Sequence, residues 1–265
     1  ESSKNKLRCL LLFNILMGRV RPTLYTFFSF IKSNITRIVR PSGLFIAFIG
    51  LDEAGKTTLI NSLNQFFQDG FASGKVKNYY WRPYLLPEPG RLISWFRRNE
   101  RTEFTGASTD FFDYRVAKTK HSIFKSPFYL LKFFYYLLDF ILGRLKYQGA
   151  WSRGGVVCFD RYYYDLLVFP ERFGFKVPKS LIRFFSHFIP KPDICFYLYS
   201  PSKVLFERKG EITEHEIMRQ TVEYDRLSME YSNIIKVDTT KSIDETHTEI
   251  INCCLVTMRS RHVGK

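Results

Sequence analysis

The sequence predicts an α/β fold: a doubly wound parallel sheet with helices on both faces. Three observations predict it. Short apolar runs without polar alternation recur along the chain, the pattern of strands buried on both faces. Helical stretches separate these runs, as the crossovers between parallel strands require. The first run, Leu44–Ile49, passes straight into a glycine-bounded turn and then resumes a helical pattern.

The elements follow in chain order. Six consecutive apolar residues make Leu44–Ile49 a strand, and residues 57–67 form the amphipathic helix after the turn. A second strand is expected at 76–81. The aromatic stretch 128–143 is helical but too short for a bilayer span, and it carries Lys132 and Asp139. Residues 156–159, with β-branched Val156 and Val157, form a strand ending at Asp160. Two more strands follow at 193–199 and 234–237, and a terminal helix at 243–258.

Totals bound the function. A chain of 265 residues buries one large core with an appendage. The net charge of +15 calls for an anionic partner. Residues 1–40 alone supply +7 of it, on two short apolar blocks broken at Arg21-Pro22. They read as a basic appendage or linker, and also as a segment suited to peripheral contact with an anionic membrane. A chain beginning at Glu1 without a methionine is expected to continue something longer. Nucleic acid is not the expected partner, because the basic residues do not alternate with exposed aromatics in any recognisable module. Five cysteines without CxxC spacing read as reduced core residues. That places the chain in the cytoplasm, with an option on the inner face of the membrane.

The turn Gly50-Leu51-Asp52-Glu53-Ala54-Gly55-Lys56-Thr57 fits GxxxxGK[ST], a phosphate-binding loop. Glycines let successive N–H groups converge on phosphate oxygens at the positive end of the next helix. Gly50, Glu53, Ala54, Gly55, Lys56, Thr57 and Thr58 are the expected nucleotide contacts. The Lys56 ammonium would lie between the β- and γ-phosphates, and the Thr57 hydroxyl would reach Mg²⁺. Strand and helix lie where such a loop needs them, so a P-loop NTPase fold binding ATP is the expectation. Asp52 is the oddity, because a carboxylate facing a triphosphate is repelled. It should face an acceptor instead.

Further candidates lie downstream. Asp160, at the end of a buried strand, is placed to hold Mg²⁺ or its water, and Arg161 to clamp a phosphate. Phe140 and Arg144 share a helical face by their i, i+4 spacing, as a base-stacking ring and a phosphate-gripping guanidinium would. Arg208 and Arg219 lie in a charged segment able to close over a donor. Arg82 either binds an acceptor phosphate or pairs with a buried carboxylate.

GLDEAGKTT, Asp160-Arg161-Tyr162, the Phe140/Arg144 pair and Pro192-Asp193 together resemble thymidylate kinases of the nucleoside-monophosphate kinase superfamily. The resemblance runs over 43–258. It implies that Asp52 contacts the acceptor, that Arg161 and a lid arginine (Arg208 first, Arg219 second) serve the transferring group, and that dTMP is the acceptor. Dimers are common in that family, so a homodimer is one expectation. The domain itself is expected to span 41–265.

The pattern also departs from the family. Pro87-Glu88-Pro89-Gly90 is a displaced echo of the family's Arg-Glu-Pro-Gly turn, and YYYDLLVFPERFGF follows Arg161 where a thymine-reading pattern would stand. The gap from Arg144 to the Asp-Arg pair is about a helical turn short. WRP, PGRL and DRYYYDLL resemble a divergent branch found in bacterial surface-polysaccharide loci, which makes a sugar or glycan the alternative acceptor. A non-catalytic nucleotide-binding module is the reading from another class.

Overall fold

The computed structural model describes residues 26–52, 54–70, 76–88, 127–209 and 213–263. Five strands form one sheet: β1 (Leu44–Ile49), β2 (Val76–Tyr80), β3 (Val156–Asp160), β4 (Ile194–Tyr199) and β5 (Ile234–Asp238). Their order is β2-β3-β1-β4-β5, and every pairing is parallel. β1 lies at the centre and all six of its residues are buried, which is why it reads as an unbroken apolar run. The sequence reversal about β1 makes the sheet doubly wound.

The helices are α1 (26–39), α2 (Lys56–Gly70), α3 (Pro127–Trp151), α4 (Tyr164–Val168), α5 (Lys179–Phe185), α6 (Ser202–Lys209), α7 (Glu214–Glu230) and α8 (Ile243–Val263). α2 and α8 lie together on one face, joined where Ser62 Oγ meets His247 Nε2 at 3.0 Å. α3 and α7 cover the other face. Among the described residues, many aromatic rings pack in that second layer. Phe45 meets the rings of Tyr147, Trp151, Phe159 and Tyr162 at centroid distances of 5.4–5.6 Å, and Tyr197 stacks on Tyr224 at 5.0 Å. Such pairs contribute roughly 0.5–1.5 kcal/mol each beyond the area they bury.

α3 does not end near Gly143 as the aromatic stretch suggested, but runs on to Trp151. It is antiparallel to the strands. Its early residues face the segment after β2, while the carbonyl of Trp151 receives the N–H of Gly43 at the start of β1. Gly143 sits mid-helix because Pro83 packs on it: an added Cβ would lie 2.2 Å from the proline Cγ. Pro192-Asp193 opens β4 for a structural reason. The Asp193 carboxylate accepts the Phe45 N–H at 2.7 Å and a hydrogen bond from Arg261 of α8.

α1 buries almost nothing. Phe27, Phe28, Phe30, Ile35, Ile38 and Val39 are all more than half or half exposed. Its C-terminal end is tied down where Arg144 Nη2 and Gln148 Nε2 donate to the Ile38 carbonyl at 2.9 and 3.0 Å. Among the described residues no helix is long and apolar enough to cross a membrane.

Candidate functional site

β2, β3 and β1 end side by side, and the chain leaves each through positive φ: Trp81 at 61°, Arg161 at 69° and Gly50 at 132°. A non-glycine residue held there costs on the order of 1–3 kcal/mol, and such strain gathers at functional sites. The sheet imposes it, because Trp81 N donates to Asp160 O at 2.7 Å and Arg161 N to Phe48 O at 2.8 Å. Gly50 has no room for a side chain, since a Cβ would lie 2.7 Å from the Leu198 carbonyl. Gly55, by contrast, opens onto space with nothing within 4 Å. Gly55 thus stands open beside the N-terminus of α2, where the first amides have no partner inside the helix.

The Lys56 side chain folds back towards the end of β1. Its buried Nζ donates to the carbonyls of Gly50, at 3.2 Å, and Leu51, and lies 4.0 Å from Asp52 Oδ1. Burial, with the Arg161 guanidinium beside it, pushes the ammonium down to about 7. Thr57 and Thr58 are exposed at the helix start, and Ala54 is buried beneath them. Glu53 lies outside the described residues.

Asp160 closes β3 beside these groups. Burial raises its carboxyl above the usual carboxylate range despite Lys56 and Arg161 nearby, and its Oδ1 is buried without a hydrogen-bond partner. An orphaned carboxylate oxygen at a strand end is the kind of ligand a hard divalent cation takes. Among the described residues no group of three or more His, Cys, Asp or Glu could hold a metal alone. A cation here would share its shell with bound phosphates.

Asp52 does not stand free to meet a hydroxyl. Oδ1 accepts from Arg161 Nη2, and Oδ2 accepts from Arg172 Nη1 at 2.5 Å. Against the burial penalty, these two guanidiniums hold the carboxyl well below its ordinary value. Arg161 is buried and further braced by Asp165, whose carboxylate accepts the Tyr162 N–H and the Tyr224 hydroxyl. Despite burial, Asp165 and Asp52 keep Arg161 firmly charged. Neither Arg172 nor Asp165 was singled out by the sequence reading. A cation in the Pro-Glu-Arg-Phe-Gly turn soon after Asp160-Arg161 was the available signal.

The remaining candidates lie apart. Arg219 makes a bidentate pair with Glu216 at 2.8 and 2.7 Å, and lies 5.9 Å over the Phe169 ring. The Arg208 side chain lies outside the described residues. Arg82 takes the second of its two sequence readings. It is wholly buried, pairs with Asp139 at 3.0 Å and stacks on Tyr84 and Tyr136. Phe140 is sealed in the core against Trp81, Tyr162 and Tyr163. Arg144 lies one turn nearer the N-terminal ends of the strands, over the Trp151 ring and bonded to Gln148 and Ile38. The short gap to Asp160 is the reason: each turn along α3 carries a side chain about 5.4 Å away from the strand ends that hold the phosphate loop.

The family model for thymidylate kinase matches residues 129–250, which span β3, β4 and β5 and stop short of the phosphate loop. Over that stretch the sequence is similar to thymidylate kinases. No curated protein matches the sequence. Among solved structures, the chain is similar to thymidylate kinase from Ehrlichia chaffeensis, at 14% identity and a TM-score of 0.49, covering 80% of this chain and 99% of that one.

Proposed function

We propose that the chain is an ATP-Mg²⁺-dependent kinase of thymidylate kinase type that moves the γ-phosphoryl group to a small acceptor. The observation that carries this reading is the gathering of Lys56, Asp160 and Arg161 around the phosphate loop, although they come from two strand ends more than a hundred residues apart in sequence. The loop signature lies outside the stretch matched by the family model, so two independent signals agree.

Roles follow from position. Backbone amides of 53–56 and the N-terminus of α2 would cradle the β- and γ-phosphates. The Lys56 ammonium would exchange the Gly50 and Leu51 carbonyls for phosphate oxygens. That exchange offsets the burial that now lowers its proton affinity. Thr57 and Asp160 would hold Mg²⁺, which screens the phosphate charge when bound. Arg161 and a lid arginine, Arg208 or Arg219, would neutralise charge on the group in flight, so the chemistry is positioning and charge stabilisation. The domain carrying it is 41–265, with 1–40 as an appendage.

dTMP is the first acceptor to test, and a sugar or glycan is the second. The second reading draws support from Phe140, whose burial in the core leaves it no face for a base. The exposed aromatic residues and basic charge of α1 suit peripheral attachment of a cytoplasmic enzyme to an anionic membrane surface. The decisive experiment incubates the chain with γ-labelled ATP and Mg²⁺ across nucleoside monophosphates and sugars, with Lys56→Met as control. Label transfer that Lys56→Met reduces about a hundred-fold or more is expected. Tight ATP binding without transfer to any acceptor would instead favour a non-catalytic module.

A further inference from the structure

One carboxylate, Asp52, is shared by two guanidiniums with an ammonium 4.0 Å away. It lies in a loop built to receive phosphate, and it presents to Arg161 and Arg172 the same paired oxygens that a phosphate would. Arg172 has Asp52 as its hydrogen-bond partner and no other among the described side chains. It remains about 29% exposed, so the side chain is in contact with solvent.

The turn that carries Arg172 is rigid. Phe173 stacks on Trp81 at 4.5 Å with an interplanar angle of 13°. Lys132 Nζ donates to the carbonyls of Phe173 and Gly174 at 3.2 and 3.3 Å. Gly174 caps the turn in the left-handed conformation, at φ 68°. A surface ion pair worth little in itself would not need this support. A guanidinium that must meet an anion at a fixed place would.

We propose that Arg172 is an anion-binding residue of the acceptor side of this site, and that Asp52 occupies Arg161 and Arg172 in the resting state until a phosphate-bearing ligand displaces it. The inference deepens the kinase reading and rests on it for the word acceptor. It gives Asp52 a different task from the hydroxyl contact that the family resemblance implies: an internal competitor, whose exchange for phosphate swings both guanidiniums onto the ligand. Arg161 has Asp165 and the Gly50 carbonyl to fall back on, whereas Arg172 depends on the exchange.

The test is calorimetry on the full chain, with Mg-ADP as probe of the donor loop and inorganic phosphate titrated in before and after ADP saturation. Arg172→Gln should weaken phosphate about ten-fold and leave Mg-ADP within about two-fold, since one charge-assisted contact is lost. Arg172→Lys should fall between, keeping charge but losing the fork. Asp52→Asn should tighten phosphate several-fold by removing the competitor. Unchanged phosphate affinity in Arg172→Gln overturns the proposal, and so does an Asp52→Asn variant that binds phosphate more weakly than wild type. Failure of the wild type to bind Mg-ADP sinks the kinase reading instead. In that case phosphate uptake by the free chain, weakened by Arg172→Gln, still upholds the anion seat, and its absence removes it.

Discussion

Asp139→Leu isolates what the buried Arg82 does. Arg82 and Asp139 are 1% and 0% exposed, and the carboxylate holds two partners at once: Arg82 Nη1 at 3.0 Å and the Leu86 N–H at 2.7 Å. Removing it leaves a buried guanidinium without its carboxylate, holding only the Leu86 carbonyl at 3.2 Å, and an orphaned backbone donor. Breaking one partner of such a pair costs about 3–5 kcal/mol. Arg82 already has Nη2 without a hydrogen-bond partner, with Glu88 no closer than 3.9 Å, so little compensation is at hand. For a chain of this size about 2–4 °C is lost per kcal/mol, which puts the midpoint roughly 6–20 °C lower. Replacing both partners, Arg82→Met with Asp139→Leu, should recover most of that loss, because an apolar pair carries no desolvation debt. Urea denaturation of wild type, both singles and the double measures each corner of the cycle. A single Asp139→Leu variant costing under about 1 kcal/mol would refute the reasoning. A double variant of wild-type stability that no longer transfers phosphoryl groups to an acceptor would restore Arg82 to the acceptor site.

Gly50→Ala should cost more than about 2 kcal/mol and abolish nucleotide binding, because it combines a disallowed φ with a clash against the Leu198 carbonyl; calorimetric stability and ADP titration both report it. Arg208→Ala and Arg219→Ala should lower kcat by about ten- to a thousand-fold while leaving the ATP dissociation constant nearly unchanged, the mark of an interaction made in the transition state. Asp52 is held below its ordinary value, so its contribution to stability is complete above the unfolded carboxylate pKa of about 3.9 and is lost as pH falls through the folded value. The stability difference between wild type and Asp52→Asn should therefore shrink on acidification below about pH 4, and a difference that grows would contradict the pairing. Vesicles containing anionic lipid should sediment the chain at low salt and release it at high salt, and Phe27→Ser with Phe28→Ser should weaken the binding.

The two kinds of legibility differ by residue. Leu44–Ile49 and the turn into α2 could be read directly, because a strand buried on both faces and a tight strand-to-helix turn each need particular residue types at consecutive positions. The all-parallel sheet followed from the same runs. Helix length was less legible: nothing local to Gly143 distinguishes a terminus from a site where Pro83 presses against the helix, so α3 proved longer than its aromatic stretch. The Asp160-Arg161 pair declared itself by sitting at the end of a strand. Arg172 and Asp165 did not, because neither belongs to a spacing pattern.

The sequence by itself determined the strands, their parallel arrangement and the glycine-bounded turn after β1, since each rests on plain burial or on backbone conformation. Only the tertiary structure decided what the charged side chains are for. Asp52 meets Arg161 and Arg172, 109 and 120 residues away, and Arg82 meets Asp139 across 57. A charge takes its role from whichever opposite charge the fold brings within a few ångströms, and separation along the chain carries almost no information about that distance.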